Sequence, residues 1–181
     1  LEPFGKNTAP AITLAALKSL EEYKNPTLLV LSSDHIFTNE KSFFESINKG
    51  IVYSENNHLI TFGISPNSPH TGYGYIESEN ALNSIDIKGE KIIKFIEKPN
   101  LDYARKLIND KRYSWNSGIF LFKSKTILKE IEKYSLDLIE ICKSSMRNKN
   151  YDLDFQRVDG EKFKKCPNIS IDICVMEKTK K

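Results

Sequence analysis

Near the start of the chain, apolar residues recur every three or four positions and then give way to a short continuous apolar run. The periodic part predicts a helix that begins at Asn7 or Thr8, and the run from Thr27 to Leu31 predicts a buried parallel strand. The pattern then repeats, with a helix starting near 38–39 and a strand over His58–Ile64. This alternation predicts an α/β fold, Rossmann-like, with a mixed, mostly parallel sheet and helices on both faces.

The remaining elements are predicted from shorter patterns and from turn residues. In chain order they are a strand at Tyr73–Glu77, a hairpin of Ile85–Lys88 with Lys91–Glu97 around Gly89, a helix at Leu101–Asp110, a strand at Gly118–Phe122, helices at 124–134 and 135–146, and a strand at Ile169–Ile171. The stretch from Tyr151 to Pro167 has no clear period and stays unassigned.

Polar residues follow several of the predicted strands. In open parallel sheets, ligands bind beyond the carboxyl ends of the strands, so these residues are candidates for a site. Asp34 follows the first strand and Asp172 follows the last. Two carboxylates suit Mg²⁺, which prefers oxygen ligands and bridges phosphates. The alternative for each aspartate is a turn or a helix cap, where this residue is common.

A second candidate is the pair Glu97-Lys98, which ends an apolar stretch. A carboxylate can bind sugar hydroxyls and a lysine can hold a phosphate, so the pair indicates a phosphorylated sugar. The alternative is a solvated surface pair. Gly74 indicates either close approach of a ligand to the backbone or a β-bulge.

Composition narrows the class of protein. The chain has 181 residues, enough for one domain, and a net charge of +3 with scattered lysines, which argues against nucleic-acid binding. Its apolar runs are shorter than the ~20 residues that span a bilayer, so we expect no membrane association. The three cysteines form no Cys-x-x-Cys motif, which disfavours a zinc site or a disulfide framework and fits a reducing cytoplasm.

Several short motifs occur in one order along the whole chain. They are Glu2-Pro3, Asn7-Thr8-Ala9-Pro10-Ala11-Ile12, Ser33-Asp34-His35, Phe62-Gly63-Ile64, Thr71 to Ile76, Phe95 to Pro99, Trp115-Asn116-Ser117-Gly118, Ser170-Ile171-Asp172 and Val175 to Lys178. Each motif is weak alone, but with this order and spacing the chain resembles the bacterial mannose-1-phosphate guanylyltransferases, nucleotidyltransferases that make nucleotide sugars.

The resemblance implies that mannose 1-phosphate attacks the α-phosphorus of GTP, giving GDP-mannose and pyrophosphate. It implies that Asp34 and Asp172 hold Mg²⁺, that Glu97 binds mannose hydroxyls, and that Lys98 binds the sugar phosphate. Lys98 and Asp34 would be the catalytic residues. The resemblance also implies sugar-binding roles for Gly74 and Asn116, and it allows a homodimer.

The resemblance also implies that three residues lie near the guanine base, namely Glu2, Asn7 and Thr8. For Glu2 there is also a physical argument, because a carboxylate can accept from the N1–H and the 2-amino group of guanine, a donor pair that adenine lacks.

One family feature has no match in the sequence. Members open with a Gly-rich loop that carries a Gly-Thr-Arg pattern and cradles the triphosphate, and its expected place is before Leu1. We therefore expect residues 1–181 to be part of a nucleotidyltransferase catalytic domain, excised from a longer protein and inactive alone.

Two other functions remain open at this point. One is a sugar-1-phosphate nucleotidyltransferase with a different nucleotide and sugar, although the motifs at Asn7–Ala11 and Trp115–Gly118 favour the mannose and guanine version. The other is a non-catalytic regulatory homologue. The two candidate metal-binding aspartates and the intact Glu97-Lys98 pair argue against it.

Overall fold

The computed structural model describes residues 1–83, 87–147 and 150–181. The chain divides into two compact units. The first combines Leu1–Leu28 with Lys123–Lys181, and the second is Leu29–Phe122.

Helices and strands alternate through the first four elements, and runs of strands or of helices follow. In chain order the elements are α1 (Thr8–Glu22), β1 (Thr27–Val30), α2 (Glu40–Glu55), β2 (Ile60–Ile64), β3 (Tyr75–Ser78), β4 (Ile92–Ile96), α3 (Leu101–Leu107), β5 (Tyr113–Lys123), α4 (Ser124–Tyr134), α5 (Leu136–Met146), β6 (Asn150–Asp152), β7 (Phe155–Arg157), α6 (Gly160–Phe163) and a π-helical turn (Asp172–Met176).

The first unit is mainly helical. Ala9, Ile12 and Ala16 lie on one face of α1 because they recur at helical spacing, and all three are buried. Helix α1 packs against α4 and α5, and those two helices also pack against each other. The predicted cap is confirmed, since the side chain of Asn7 accepts a hydrogen bond from the Thr8 N–H at 2.9 Å.

The second unit is built on a sheet. Within the described residues this sheet has five strands in the order β1-β5-β3-β4, and β2 also pairs with β5. The predicted α/β fold with a mixed sheet is confirmed. The expectation of mostly parallel pairing is wrong for three pairs, because β2–β5, β3–β5 and β3–β4 are antiparallel. Strand β3 lies between β4 and β5, and antiparallel neighbours need no crossover helix to join them.

Helix α3 covers one end of this sheet. Tyr75 of β3 is fully buried with Ala104 and Leu107 of α3, and Ile96 and Trp115 pack against this cluster. This cluster holds β3, β4 and β5 together at the level of Tyr75, Ile96 and Trp115, and so positions the residues next to these three in the chain. Those flanking residues include most of the predicted sugar site.

The predicted strand at Ile169–Ile171 is wrong. The carbonyl of Ile169 accepts a hydrogen bond from the Ala9 N–H at 3.2 Å, and the N–H of Ile171 donates to Oγ1 of Thr8 at 2.8 Å. These backbone groups therefore bind the start of α1 rather than a neighbouring strand. Asp172 opens the π-helical turn instead of ending a strand.

The second strand of the hairpin predicted around Gly89 is present as β4, which pairs with β3, and residues 87–88 of the first predicted strand are not in a strand. Residues 85–86 of that prediction lie outside the described residues. The unassigned stretch after Tyr151 contains the β6–β7 hairpin and α6. Each helix in the described ranges is too short or too polar to cross a lipid bilayer.

Candidate functional site

In the second unit, the sheet register places four residues in one row. Three of them were predicted as sugar-binding residues from the sequence, and the fourth, Gly63, was not. Tyr75 pairs with Ile96 on one side and with Trp115 on the other, so Gly74 stands beside both Glu97 and Asn116. Gly63 of β2 pairs with Asn116. The row Gly63–Asn116–Gly74–Glu97 therefore crosses four neighbouring strands at one level of the sheet, and we call it the polar row.

Gly74 leaves room for the carboxylate of Glu97. A Cβ placed on Gly74 would lie 2.8 Å from Oε2 of Glu97, 3.3 Å from Phe95 and 3.5 Å from the Cβ of Asn116. Real Cβ atoms essentially never approach an oxygen this closely, so the position requires glycine as long as Glu97 keeps its place. By contrast, a Cβ on Gly72 would meet only ordinary contacts with His70.

Asn116 is held in one orientation by its neighbours. Its backbone N–H donates to the Gly74 carbonyl at 2.8 Å, and its side-chain Oδ1 accepts from the hydroxyl of Thr61 at 2.8 Å. The Thr61 hydroxyl also contacts the Ile119 carbonyl at 3.1 Å. The amide of Asn116 is therefore positioned before any ligand arrives.

Lys98 stands at the end of the polar row with an unusual backbone. Its φ is 43°, in the left-handed region that non-glycine residues seldom adopt. Its ammonium lies 3.2 Å from Oε1 of Glu97, and its side chain is 64% exposed against 30% for Glu97. Strained backbone of this kind clusters at binding and catalytic sites, where the surrounding fold maintains it. The buried Pro99 follows directly.

Three aromatic side chains lie next to the polar row. The rings of His70 and Tyr73 stack at 4.2 Å, and Tyr73 meets Trp115 edge-on at 5.1 Å. Tyr73 and Trp115 directly precede Gly74 and Asn116 in the chain. The Tyr75 hydroxyl donates to the His70 carbonyl at 2.9 Å, which fixes the segment that carries two of the rings. We call His70, Tyr73 and Trp115 the aromatic trio.

Asp34 also belongs to the second unit, where it lies exposed in a turn after β1. The turn is the alternative that its sequence context left open. Its carboxylate oxygens are the donors that a hard cation prefers.

In the first unit, Thr8 lies close to the segment that leads to Asp172. The Thr8 hydroxyl accepts from the Ile171 N–H, and Asp172 follows as the first residue of the π-helical turn. Asn7 precedes with a φ of 68° and caps α1. Asp172 is half-buried, and its carboxylate chemistry fits Mg²⁺ as that of Asp34 does. Single-turn π-helices occur frequently at functional sites.

Glu2 is half-buried in the first unit. Its Oε1 is buried and has no hydrogen-bond partner among the described residues. Burial raises the pKa of Glu2 above its ordinary value. A buried acceptor without a partner has a free-energy cost that a donor from a ligand would remove.

No group of three or more His, Cys, Asp or Glu side chains within the described ranges is arranged to hold a metal ion. Sequence reasoning gave no role to Thr61, Gly63 or the aromatic trio. The close approach at Gly63, where an added Cβ would clash with Oγ of Ser114, depends on strand packing that the sequence does not reveal.

A family model described as nucleotidyl transferase matches residues 1–160. The chain belongs to the nucleotidyl transferase family. The match includes all the predicted site residues except Asp172.

Named relatives of this nucleotidyl transferase chain share a mannose phosphate in their names. A mannose-1-phosphate guanylyltransferase from Escherichia coli is 44% identical over 183 residues, which is 99% of this chain and 39% of that protein. The crystal structure of a mannose-6-phosphate isomerase from Helicobacter pylori has a TM-score of 0.84 at 32% identity, covering 99% of this chain and 67% of the other. A structure from Thermus thermophilus, titled a mannose-1-phosphate geranyltransferase, has a TM-score of 0.83 at 29% identity, covering 98% and 49%.

The chain spans about two fifths of the length of the curated relatives it matches. The assignment of residues 1–181 to a single partial catalytic domain remains a prediction.

Proposed function

We propose that the protein containing this chain transfers GMP from GTP to mannose 1-phosphate, giving GDP-mannose and pyrophosphate. The observation that carries the proposal is the polar row with Lys98 at its end. Glycine at position 74 makes space for an acidic side chain beside an oriented amide, and a lysine follows. An acceptor for hydroxyls next to a cation for phosphate matches a sugar phosphate. The names of the relatives support mannose 1-phosphate and a guanylyl group.

In the proposed reaction, the phosphate oxygen of mannose 1-phosphate forms a bond to the α-phosphorus of GTP. The bond from that phosphorus to the bridging oxygen breaks, and pyrophosphate leaves. Glu97 and Asn116 would orient the sugar through its hydroxyls, and Lys98 would hold its phosphate against the α-phosphorus. Rate acceleration would come from this positioning and from charge stabilisation.

Asp34 and Asp172 are proposed to hold Mg²⁺. The metal when bound would neutralise charge on the phosphate oxygens. A homodimer and a cytoplasmic location stay predictions, the second supported by three cysteines that are all free thiols.

The test of this function is a turnover assay on the full-length protein with GTP, mannose 1-phosphate and Mg²⁺. We expect GDP-mannose and pyrophosphate in equal amounts, and we expect EDTA to abolish the reaction and excess Mg²⁺ to restore it. A panel of other nucleoside triphosphates and glucose 1-phosphate provides the comparison. A preference for another pair would replace the proposed substrates, and absence of turnover with every pair would favour a regulatory homologue.

Glu2 is proposed to read the guanine base. Its buried Oε1 can accept from the N1–H and 2-amino donors once the carboxyl is ionised. Replacing Glu2 with glutamine is expected to lower kcat/KM for GTP by about 10- to 100-fold, the range for hydrogen bonds to a charged group. Inosine triphosphate lacks the 2-amino group, so its kcat/KM should fall less in E2Q than that of GTP. The preference of the enzyme for GTP over inosine triphosphate should therefore be smaller in E2Q than in the wild type. GTP kinetics unchanged in E2Q would refute the role.

A further inference from the structure

Two buried thiols in the first unit contact each other. Cys142 lies on α5 and Cys166 follows α6, and their Sγ atoms are 3.7 Å apart. Cys142 is fully buried and Cys166 is 3% exposed. Neither residue has a part in the proposed transfer reaction.

The contact is set by the packing of two helices rather than by chance side-chain placement. Helix α5 packs against α6. The Asp159 N–H donates to the Ser145 carbonyl at 2.9 Å, and the Cys166 N–H donates to the Phe163 carbonyl at 2.9 Å. These backbone bonds lie close in sequence to both thiols, so the sulfur atoms are held in mutual reach.

We propose that Cys142 and Cys166 form a redox modification site, which a peroxide converts into an intramolecular disulfide. The Cys166 thiolate attacks hydrogen peroxide, breaks the O–O bond and becomes a sulfenic acid, releasing hydroxide. The Cys142 sulfur then attacks the Cys166 sulfur, the S–O bond breaks, and the oxygen leaves as water with the Cys142 proton. Overall, two thiols and one hydrogen peroxide give one disulfide and two waters.

The two sulfurs are suited to different parts of this reaction. The contact with the Cys142 thiol lowers the pKa of Cys166, and nearby Lys6 acts in the same direction. The same contact, together with burial, raises the pKa of Cys142. Burial and the carboxylate of Glu2 oppose thiolate formation at both cysteines. Cys166 also keeps a small exposed fraction, 3% against 0% for Cys142, so it is the sulfur that peroxide reaches first. Cys142 then supplies the proton and closes the bond.

Closure of the disulfide brings the two sulfur atoms closer together. A disulfide is ~2.05 Å long, so the sulfurs must approach by about 1.7 Å from their 3.7 Å separation. The bond would tie α5 to the segment after Cys166, which reaches Thr8 through Ile171 and continues to Asp172.

The experiment treats the folded full-length protein with hydrogen peroxide, blocks remaining thiols with iodoacetamide and maps peptides by mass spectrometry without reduction. We expect a Cys142–Cys166 peptide lighter by two hydrogens than its reduced components. Alkylation of both cysteines should fall in parallel, while alkylation of Cys174 after unfolding should stay unchanged. Dithiothreitol should restore both thiols.

Three alanine variants sharpen the result. C142A and C166A should each lose the cross-linked peptide. C174A should keep it, because Cys174 lies on the π-helical turn and is not part of the contact between Cys142 and Cys166. In C142A, Cys166 should accumulate as sulfenic or sulfinic acid. The wild-type peptide map decides the proposal even if a variant fails to fold. A bond from either cysteine to Cys174, oxidation of Cys166 with Cys142 still a thiol, or two unreacted thiols would overturn it.

Discussion

Replacing Gly74 with alanine is expected to lower kcat/KM for mannose 1-phosphate by about 100-fold, the size of effect that a displacement of about 1 Å in a site produces. The new Cβ would lie 2.8 Å from Oε2 of Glu97 and 3.3 Å from Phe95. The carboxylate of Glu97 must therefore shift away from position 74, and its contact with Lys98 is expected to change with it. Steady-state kinetics of the full-length protein measure the effect, which should fall mainly on the KM for the sugar phosphate.

Gly72→Ala is the matched control for this change. It adds the same methyl group two residues earlier, where the nearest atoms are those of His70 at 3.5 Å. We expect its kinetics to stay within about threefold of the wild type, since a surface substitution without a clash has little effect. If G74A and G72A behave alike, the close approach at Gly74 has no role in sugar binding.

Replacing Glu97 with glutamine is expected to lower kcat/KM for mannose 1-phosphate by about 10- to 100-fold, because hydrogen bonds to a charged acceptor contribute about 1.5–3 kcal/mol. Glutamine keeps the shape of the side chain but loses its charge, and its amide presents a donor where Oε1 faces Lys98 at 3.2 Å. The KM for GTP should change little, which separates loss of the sugar site from general damage.

Glu79→Gln provides the comparison, since it removes an exposed carboxylate just after β3. We expect E79Q to retain wild-type kinetics and both variants to keep the wild-type thermal unfolding temperature. An E97Q enzyme with an unaltered KM and kcat for the sugar phosphate would mean that Glu97 is the surface partner of Lys98 and nothing more.

Helices could be predicted from the sequence more reliably than strand partners. The start of α2 after Asn39 and the run of α5 to Met146 are confirmed, because caps and apolar spacing are local properties. Pairing depends on residues far away in the chain. Ile169–Ile171 has a strand-like composition, but Thr8 and Ala9 supply the hydrogen-bond partners of its backbone, and no local pattern shows this.

In the candidate site, too, residues marked by local motifs could be predicted, and contacts between distant parts of the chain could not. Glu97, Lys98 and Asn116 were named from the sequence, and the structure brings Glu97 and Asn116 together around Gly74. The part played by Thr61 could not be predicted, since it depends on the register of β2 against β5. The aromatic trio escaped notice because His70 and Trp115 are far apart in the chain.

The first unit joins two stretches of chain that the whole of Leu29–Phe122 separates. On the ribosome, the apolar face of α1 is therefore made long before α4 and α5, the helices that cover it. The second unit is continuous and has no such delay. Helix α1 therefore stays without these partners while Leu29–Phe122 is synthesised, which is a condition that chaperones serve.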